Sequence, residues 1–256
     1  MLSIDLNCDM GEGMEHDAEI MPFISSVNIA CGYHAGDEAI MLRTIRLALA
    51  HGVAIGAHPS YPDRPNFGRV DILGEPGAGI DDLPRIITDQ LVVLQRVCHA
   101  SGVSLHHVKF HGALYNRAAK DRAISAILCE TIRQFDPSLL LYGLSGSVMH
   151  EEAGRWGLRY IGEVFADRTY QEDGSLTPRS EPDALIEDPA FAVRQVLTMI
   201  REGKVVTAAG MELFMEAGTV CIHGDGAYAV EIVQTIQCAL TDKGIAIQPP
   251  APGRLP

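Results

Sequence analysis

Short apolar runs alternate along the chain with longer stretches in which apolar residues return every three or four positions. The runs at 2–6, 27–31, 54–58, 105–110, 139–144, 159–166 and 219–222 predict strands, with 204–208 a further candidate. Between them, 37–51, 81–101, 121–135, 189–202 and 228–243 predict amphipathic helices. Asp37 and Asp81 stand where N-caps or first-turn acids belong, and Gly52, Gly102, Gly203 and Gly244 follow the helices as stop signals. Strand–helix repetition implies parallel strands joined by crossovers, hence an α/β protein. Seven or eight such units in 256 residues is the size of a (β/α) barrel, with a doubly wound open sheet as the alternative. No linker divides the chain, which predicts a single domain over 1–247 and a loose tail over 248–256, where four prolines fall. Two connections, 59–80 and 167–188, are too long for ordinary βα loops and read as lids, binding loops or disorder.

Polar residues gather where the predicted strands end. The first strand runs into Asn7, Asp9 and Glu12, the second into His34 and Asp37, the third into His58, and the fourth into Lys109 and His111. The sixth leads to Glu163, Asp167 and Arg168, and a late one to His223 and Asp225. In barrels of this kind the reacting groups sit at the C-terminal ends of the strands. Strand parity adds to this: Ser3, Asp5, Asn7 and Asp9 share one face of the first strand, whereas Leu2, Ile4, Leu6 and Cys8 share the other. A strand buried on both faces is normally apolar throughout, so the polar face implies a polar interior. Lys109 and His111 likewise share a face, as do His223 and Asp225. His16, His51, His99 and His150 fall in helical or loop stretches and read as surface residues.

Composition narrows the field. A formal charge of −13 removes the basic face that nucleic-acid binding needs. No run of apolar residues is long enough to span a bilayer, and Asp5 and Asp9 near the start are unlike a signal peptide. Six cysteines without a C-x-x-C pair predict reduced thiols and a cytoplasmic setting. The chain lacks G-x-x-x-x-G-K-[ST], H-E-x-x-H and G-x-S-x-G, and the glycines at 74–79 lack the Rossmann spacing.

Six blocks in order carry a resemblance: DLNCDMGE from Asp5, NIACGYHAGD from Asn28, GAHPSYPD from Gly56, VKFHGALYN from Val108, EVFADRTY from Glu163 and CIHGD from Cys221. Over about residues 4–247 they resemble the LamB/YcsF family. The family usually has Pro where this chain has Phe110; parity turns Phe110 away from the interior, so a packing change is expected there. The resemblance implies a seven-stranded (β/α)-barrel variant similar to the glycoside hydrolase/deacetylase barrels. It also implies the role of the A subunit in ATP-dependent opening of 5-oxoproline to L-glutamate. Partner 5-oxoprolinase subunits B and C would use the ATP to phosphorylate the lactam, which fits the missing P-loop. A site that opens such an intermediate needs a base, a proton source for the ring nitrogen and cations for the substrate's anionic groups. Asp9, His34, His58, Lys109, His111 and His223 are the expected catalytic residues, with base and acid left open among the histidines and Asp9. Asn7, Glu12, Asn28, Arg69, Arg168 and Asp225 are the expected substrate-binding residues, and Arg179 can fold in from the second long loop. No metal ligand belongs to this reading. The alternatives are a self-sufficient metal-dependent amide hydrolase or deacetylase, with Zn²⁺ on Asp9, His34 and His58, and a non-catalytic lactam-binding pocket.

Overall fold

A computed structural model describes residues 2–75 and 79–251. Its strands are β1 (Ser3–Met10), β2 (Ser26–Ala30), β3 (Ala54–His58), β4 (His107–Lys109), β5 (Leu140–Leu144), β6 (Arg159–Phe165), β7 (Lys204–Val206), β8 (Glu212–Phe214), β9 (Thr219–Cys221) and β10 (Ala246–Ile247). The helices are α1 (Asp17–Ile20), α2 (Glu38–His51), α3 (Leu83–Ala100), α4 (Gly112–Lys120), α5 (Arg122–Phe135), α6 (Val148–Arg155), α7 (Pro189–Glu202) and α8 (Ala229–Asp242). Strands β1 to β6 pair in sequence and in parallel, and β9 lies between β6 and β1, pairing in parallel with both. Seven parallel strands therefore close a barrel, as the resemblance implied, and the open-sheet alternative is set aside. The candidate strand at 204–208 is real but lies outside the ring, where β7 and β8 form an antiparallel hairpin.

Local chemistry explains the helix boundaries. Asp37 accepts from the Ile40 amide at 2.8 Å, Asp188 caps α7 just before Pro189, and Gly52 and Gly203 end their helices in the left-handed region. Asp81 departs from expectation: it sits in a 3-10 turn, Ile80–Asp82, and α3 begins only at Leu83. Helices α4 and α6 were not predicted. Each is short, at 9 and 8 residues, and α4 starts within what reads as a strand end.

The main core lies between barrel and helices. On β1, Ile4, Leu6, Cys8 and Met10 are buried in it, and the alternate residues Asp5 and Asn7 are equally buried but hydrogen-bonded inside the barrel. Ser25 and Ser26 donate to Asp5 Oδ1 at 2.6 and 2.8 Å, and Thr219 donates to Oδ2 at 2.7 Å. Leu140, Tyr142 and Ile161 form a small apolar cluster apart from the main core, and His107 stacks on Tyr142 with ring centroids 4.0 Å apart. The chain end is tied down as far as Ala251: Gln248 donates to Ile4 O, His106 Nε2 pairs with Pro250 O, and Arg159 reaches Ala251 O. Of the tail expected over 248–256, residues 252–256 lie outside the described residues. Among the described residues no helix is long and apolar enough to cross a membrane.

Candidate active site

At the C-terminal ends of the strands a cavity of about 390 Å³ opens, bordered by Asp9, Glu12, His58, Lys109, His111 and His223 among others. Its deepest charge is Lys109. The Lys109 Nζ lies 2.9 Å from Asp9 Oδ1, 2.8 Å from Glu163 Oε1 and 3.1 Å from Cys221 Sγ. Burial disfavours this ammonium, but Asp9, Cys221 and Glu163 outweigh it and hold the Lys109 pKa well above the ordinary value. Burial also works against the Asp9 carboxylate, yet His58 and Lys109 hold it well below the usual range. Glu163 is fully enclosed: Asn7 and Lys109 donate to one oxygen and the Tyr115 hydroxyl to the other, at 2.7 Å.

Beside Asp9 the three imidazoles of His34, His58 and His111 converge with Glu12. His58 Nδ1 pairs with Lys109 O at 2.8 Å, and His111 Nε2 with Phe67 O at 2.9 Å. A carbonyl can only accept, so both of those nitrogens carry protons. The remaining nitrogens, His58 Nε2 and His111 Nδ1, face each other 2.9 Å apart. Two lone pairs cannot share that gap, so it holds a proton or a cation. With a proton there, His58 is the charged ring: burial lowers its pKa, but the Asp9 carboxylate 3.3 Å away more than compensates, and the net shift is upward. Burial and the charge of His58 push His111 well down, and burial lowers His34. Glu12 Oε1 stands 3.2 Å from His34 Nε2 and 3.3 Å from His111 Nδ1. The ring of His34 stacks on His111 at 3.9 Å between centroids.

Close backbone packing builds this corner. Gly68, at φ +64°, would place a Cβ 2.3 Å from Ser60 Oγ, and a Cβ on Gly112 would lie 2.5 Å from Gly68 O. Only glycine lets the 59–75 segment approach the start of α4 closely enough for Ala113 to donate to Gly68 O and for Phe67 O to reach His111. Arg64 donates to the carbonyls of Gly32 and Gly36 and holds the loop that carries His34.

Across the cavity, Asp167 accepts from the His223 amide at 2.9 Å and pairs with His223 Nδ1 at 3.0 Å. That fixes the tautomer and leaves Nε2 as the nitrogen for exchange with a ligand. Burial raises the Asp167 pKa, but His223 and Arg168 bring it below the ordinary value. A carboxylate oxygen of Asp9, Cys221 Sγ and a ring nitrogen of His223 all lie within 4.8 Å of one another. At the mouth, Arg69 and Arg179 come from the two long connections to one carboxylate, reaching Asp225 Oδ2 at 3.2 and 3.0 Å.

The structure therefore brings Asp9, Glu12, His58, Lys109, Arg69, His111, His223 and Asp225 to one cavity, with His34 directly behind His111. Two expectations need correction, those for the asparagines and for the metal-capable set. Asn7 and Asn28 do not line the cavity; they are fully buried beneath it, where Asn28 donates to Asn7 Oδ1 and Asp9 Oδ1. They position Asp9 and Lys109 and have no free face for a substrate. Arg168 borders the cavity as expected, and two of its N–H groups, on Nε and one terminal nitrogen, donate to Ala184 O and Thr177 O and brace the second long connection. The metal-capable set around the histidines contains Glu12 and His111 rather than Asp9, whose Oδ1 is taken by Lys109 and Asn28. Phe110 joins the hydrophobic core at 1% exposure, in keeping with its parity. His16, His51, His99 and His150 lie outside the cavity lining, also as expected. Sequence reasoning gave Glu163 and Asp167 no role and missed His107, although 107, 109 and 111 share one parity. His107 Nε2 meets Asn28 Oδ1 at 2.7 Å.

The sequence model of the LamB/YcsF family matches residues 4–254. The chain is 47% identical over 253 residues to a Tolumonas auensis protein named as the A subunit of 5-oxoprolinase, covering 97% of this chain and 99% of that one. It is 48% identical over 254 residues to the protein of the same name from Geobacillus kaustophilus, covering 98% of each. Among solved structures it matches the lactam utilization protein from Thermus thermophilus with a TM-score of 0.88 and 40% identity, over 96% of this chain and 99% of that one.

Proposed function

The chain belongs to the LamB/YcsF family, and from that premise we propose that its cavity hydrolyses the lactam of 5-oxoproline as the A subunit of a 5-oxoprolinase. In this reading partner subunits B and C use ATP to phosphorylate the lactam oxygen, and L-glutamate is the product. The reading is carried by one observation: a histidine oriented by a buried carboxylate and a pair of arginines face the same cavity, in a chain whose near-full-length relatives carry the name of the 5-oxoprolinase A subunit.

The chemistry explains why such a set is needed. A lactam is a resonance-stabilised amide and a poor electrophile; phosphorylation on oxygen converts it to an imidate ester. Water then adds to the ring carbon, and His223 Nε2 takes its proton, with Asp167 holding the resulting imidazolium. The ring nitrogen receives that proton, the carbon–nitrogen bond breaks, and the second water proton also ends on nitrogen as the α-amine forms. The acyl phosphate left behind is hydrolysed by a second water to glutamate and phosphate. Asp9, held by Lys109 and Asn28, supplies a fixed negative charge opposite His223. Arg69 and Arg179 bind the substrate's carboxylate and phosphate in place of Asp225.

Glutamate release from 5-oxoproline tests this, comparing the chain alone and with subunits B and C, each with and without ATP. Release only in the complete ATP-containing mixture is the expected result. Release by the chain alone would replace this reading with a self-sufficient hydrolase, and silence in all four mixtures would remove 5-oxoproline as the substrate.

A further inference from the structure

We propose that Glu12, His34, His58 and His111 form a binding site for one first-row divalent transition-metal ion, with Zn²⁺ the reference case, set in the wall of the cavity. One donor atom from each of the four residues lies within 4.8 Å of the other three. The separations are 3.2 Å for His34 Nε2 to Glu12 Oε1, 3.3 Å for His111 Nδ1 to the same oxygen, and 3.8 Å for His58 Nε2 to it. His58 Nε2 and His111 Nδ1 are 2.9 Å apart. Four donors on bonds of about 2.0–2.1 Å around a tetrahedral ion stand about 3.4 Å from one another, a spacing that these four separations bracket, and His34, stacked parallel to His111, would turn to bring its lone pair onto the same ion.

The outer nitrogens support the same reading. A metal-bound imidazole normally gives its other N–H to a carbonyl or carboxylate, which fixes the tautomer that points a lone pair at the ion. His58 does so to Lys109 O and His111 to Phe67 O. Both rings are thereby locked with lone pairs converging on a gap that something positive must fill. Among the described residues His34 Nδ1 is buried without a partner, so its bond to the ion is the least braced of the three. Three imidazoles and one carboxylate suit zinc, nickel or iron, whereas magnesium and calcium require mostly oxygen. The side chains of His34, His58, His111 and Glu12 are at most 8% exposed. The four donors come from the segments following β1, β2 and β4 and from the end of β3, so one ion would tie four consecutive rim segments together.

The test uses the full chain, treated with chelator and titrated calorimetrically with Zn²⁺ alone. One ion per chain is expected, with affinity falling at least about 100-fold in Glu12→Gln and in His111→Gln. No binding by the wild-type chain overturns the proposal. So does binding that survives both substitutions but is lost in Cys221→Ser, which would move the ion to Asp9, Cys221 and His223. Should a variant not fold, the visible spectrum of the Co²⁺-loaded wild-type chain decides: strong four-coordinate bands are expected, and weak six-coordinate bands contradict the site. None of these readouts uses 5-oxoproline or the partner subunits, so the metal site and the lactam reading fail separately.

Discussion

Lys109 Nζ lies 2.8 Å from Glu163 Oε1, and both side chains are almost wholly enclosed by the barrel. The ammonium also serves Asp9 at 2.9 Å, so one buried cation balances parts of two carboxylates.

Removing that cation leaves uncompensated negative charge in a low-dielectric interior. Lys109→Met is expected to destabilise the chain by about 3–5 kcal/mol. The double substitution Lys109→Met with Glu163→Gln should recover a substantial part of the loss. Urea unfolding of the single and double variants measures both, and strict additivity would show that the pair is not coupled.

Asp167 gives a pH signature with a definite sign. Its native pKa lies below the ordinary 3.8, with His223 and Arg168 outweighing the cost of burial. The stability it contributes is present in full above the unfolded value and is lost as pH falls through the lower native value. The difference in unfolding free energy between wild type and Asp167→Asn should be about 2 kcal/mol near pH 5. Below about pH 4 it should shrink. A difference that grows on acidification would reverse the assignment.

Gly56 owes its identity to His107. A Cβ at position 56 would lie 2.1 Å from His107 Nε2, the atom that meets Asn28. Gly56→Ala is expected to cost about 3 kcal/mol through displacement of that ring. Adding His107→Ala should relieve part of the strain, measurable as a rise in Tm relative to Gly56→Ala alone.

The rim arginines make a prediction of opposite signs. Arg69 and Arg179 share Asp225 at the mouth, where the ion pairs are partly exposed and contribute little to stability. In the complete assay, Arg179→Ala should raise KM at least about tenfold with a smaller change in kcat. Asp225→Asn frees both guanidinium groups for the substrate and should lower KM. Equal effects on kcat in both variants would place these groups away from substrate binding.

Much of the fold was legible because strand parity is local. Asp5, Asn7 and Asp9 alternate with Ile4, Leu6 and Cys8, and the barrel's polar interior follows from that period whatever the neighbours are. Parity also placed Lys109 with His111 and turned Phe110 into the core. What escaped depends on closure. Glu12, His34, His58 and His111 meet only because β1 to β4 stand side by side, and Arg69 meets Arg179 across 110 positions of sequence at Asp225. Asn7 and Asn28 share the parity of the site residues, but sequence says nothing of depth along the barrel axis, and they lie one layer below the cavity. Short α4 and α6 were lost for want of enough turns to establish a period.

The most direct test of the central claim is glutamate release by the complete ATP-containing mixture, with wild-type chain or with His223→Ala at matched circular dichroism. The account predicts a fall of at least about 100-fold for the variant. Near-wild-type release by a correctly folded His223→Ala chain would contradict it.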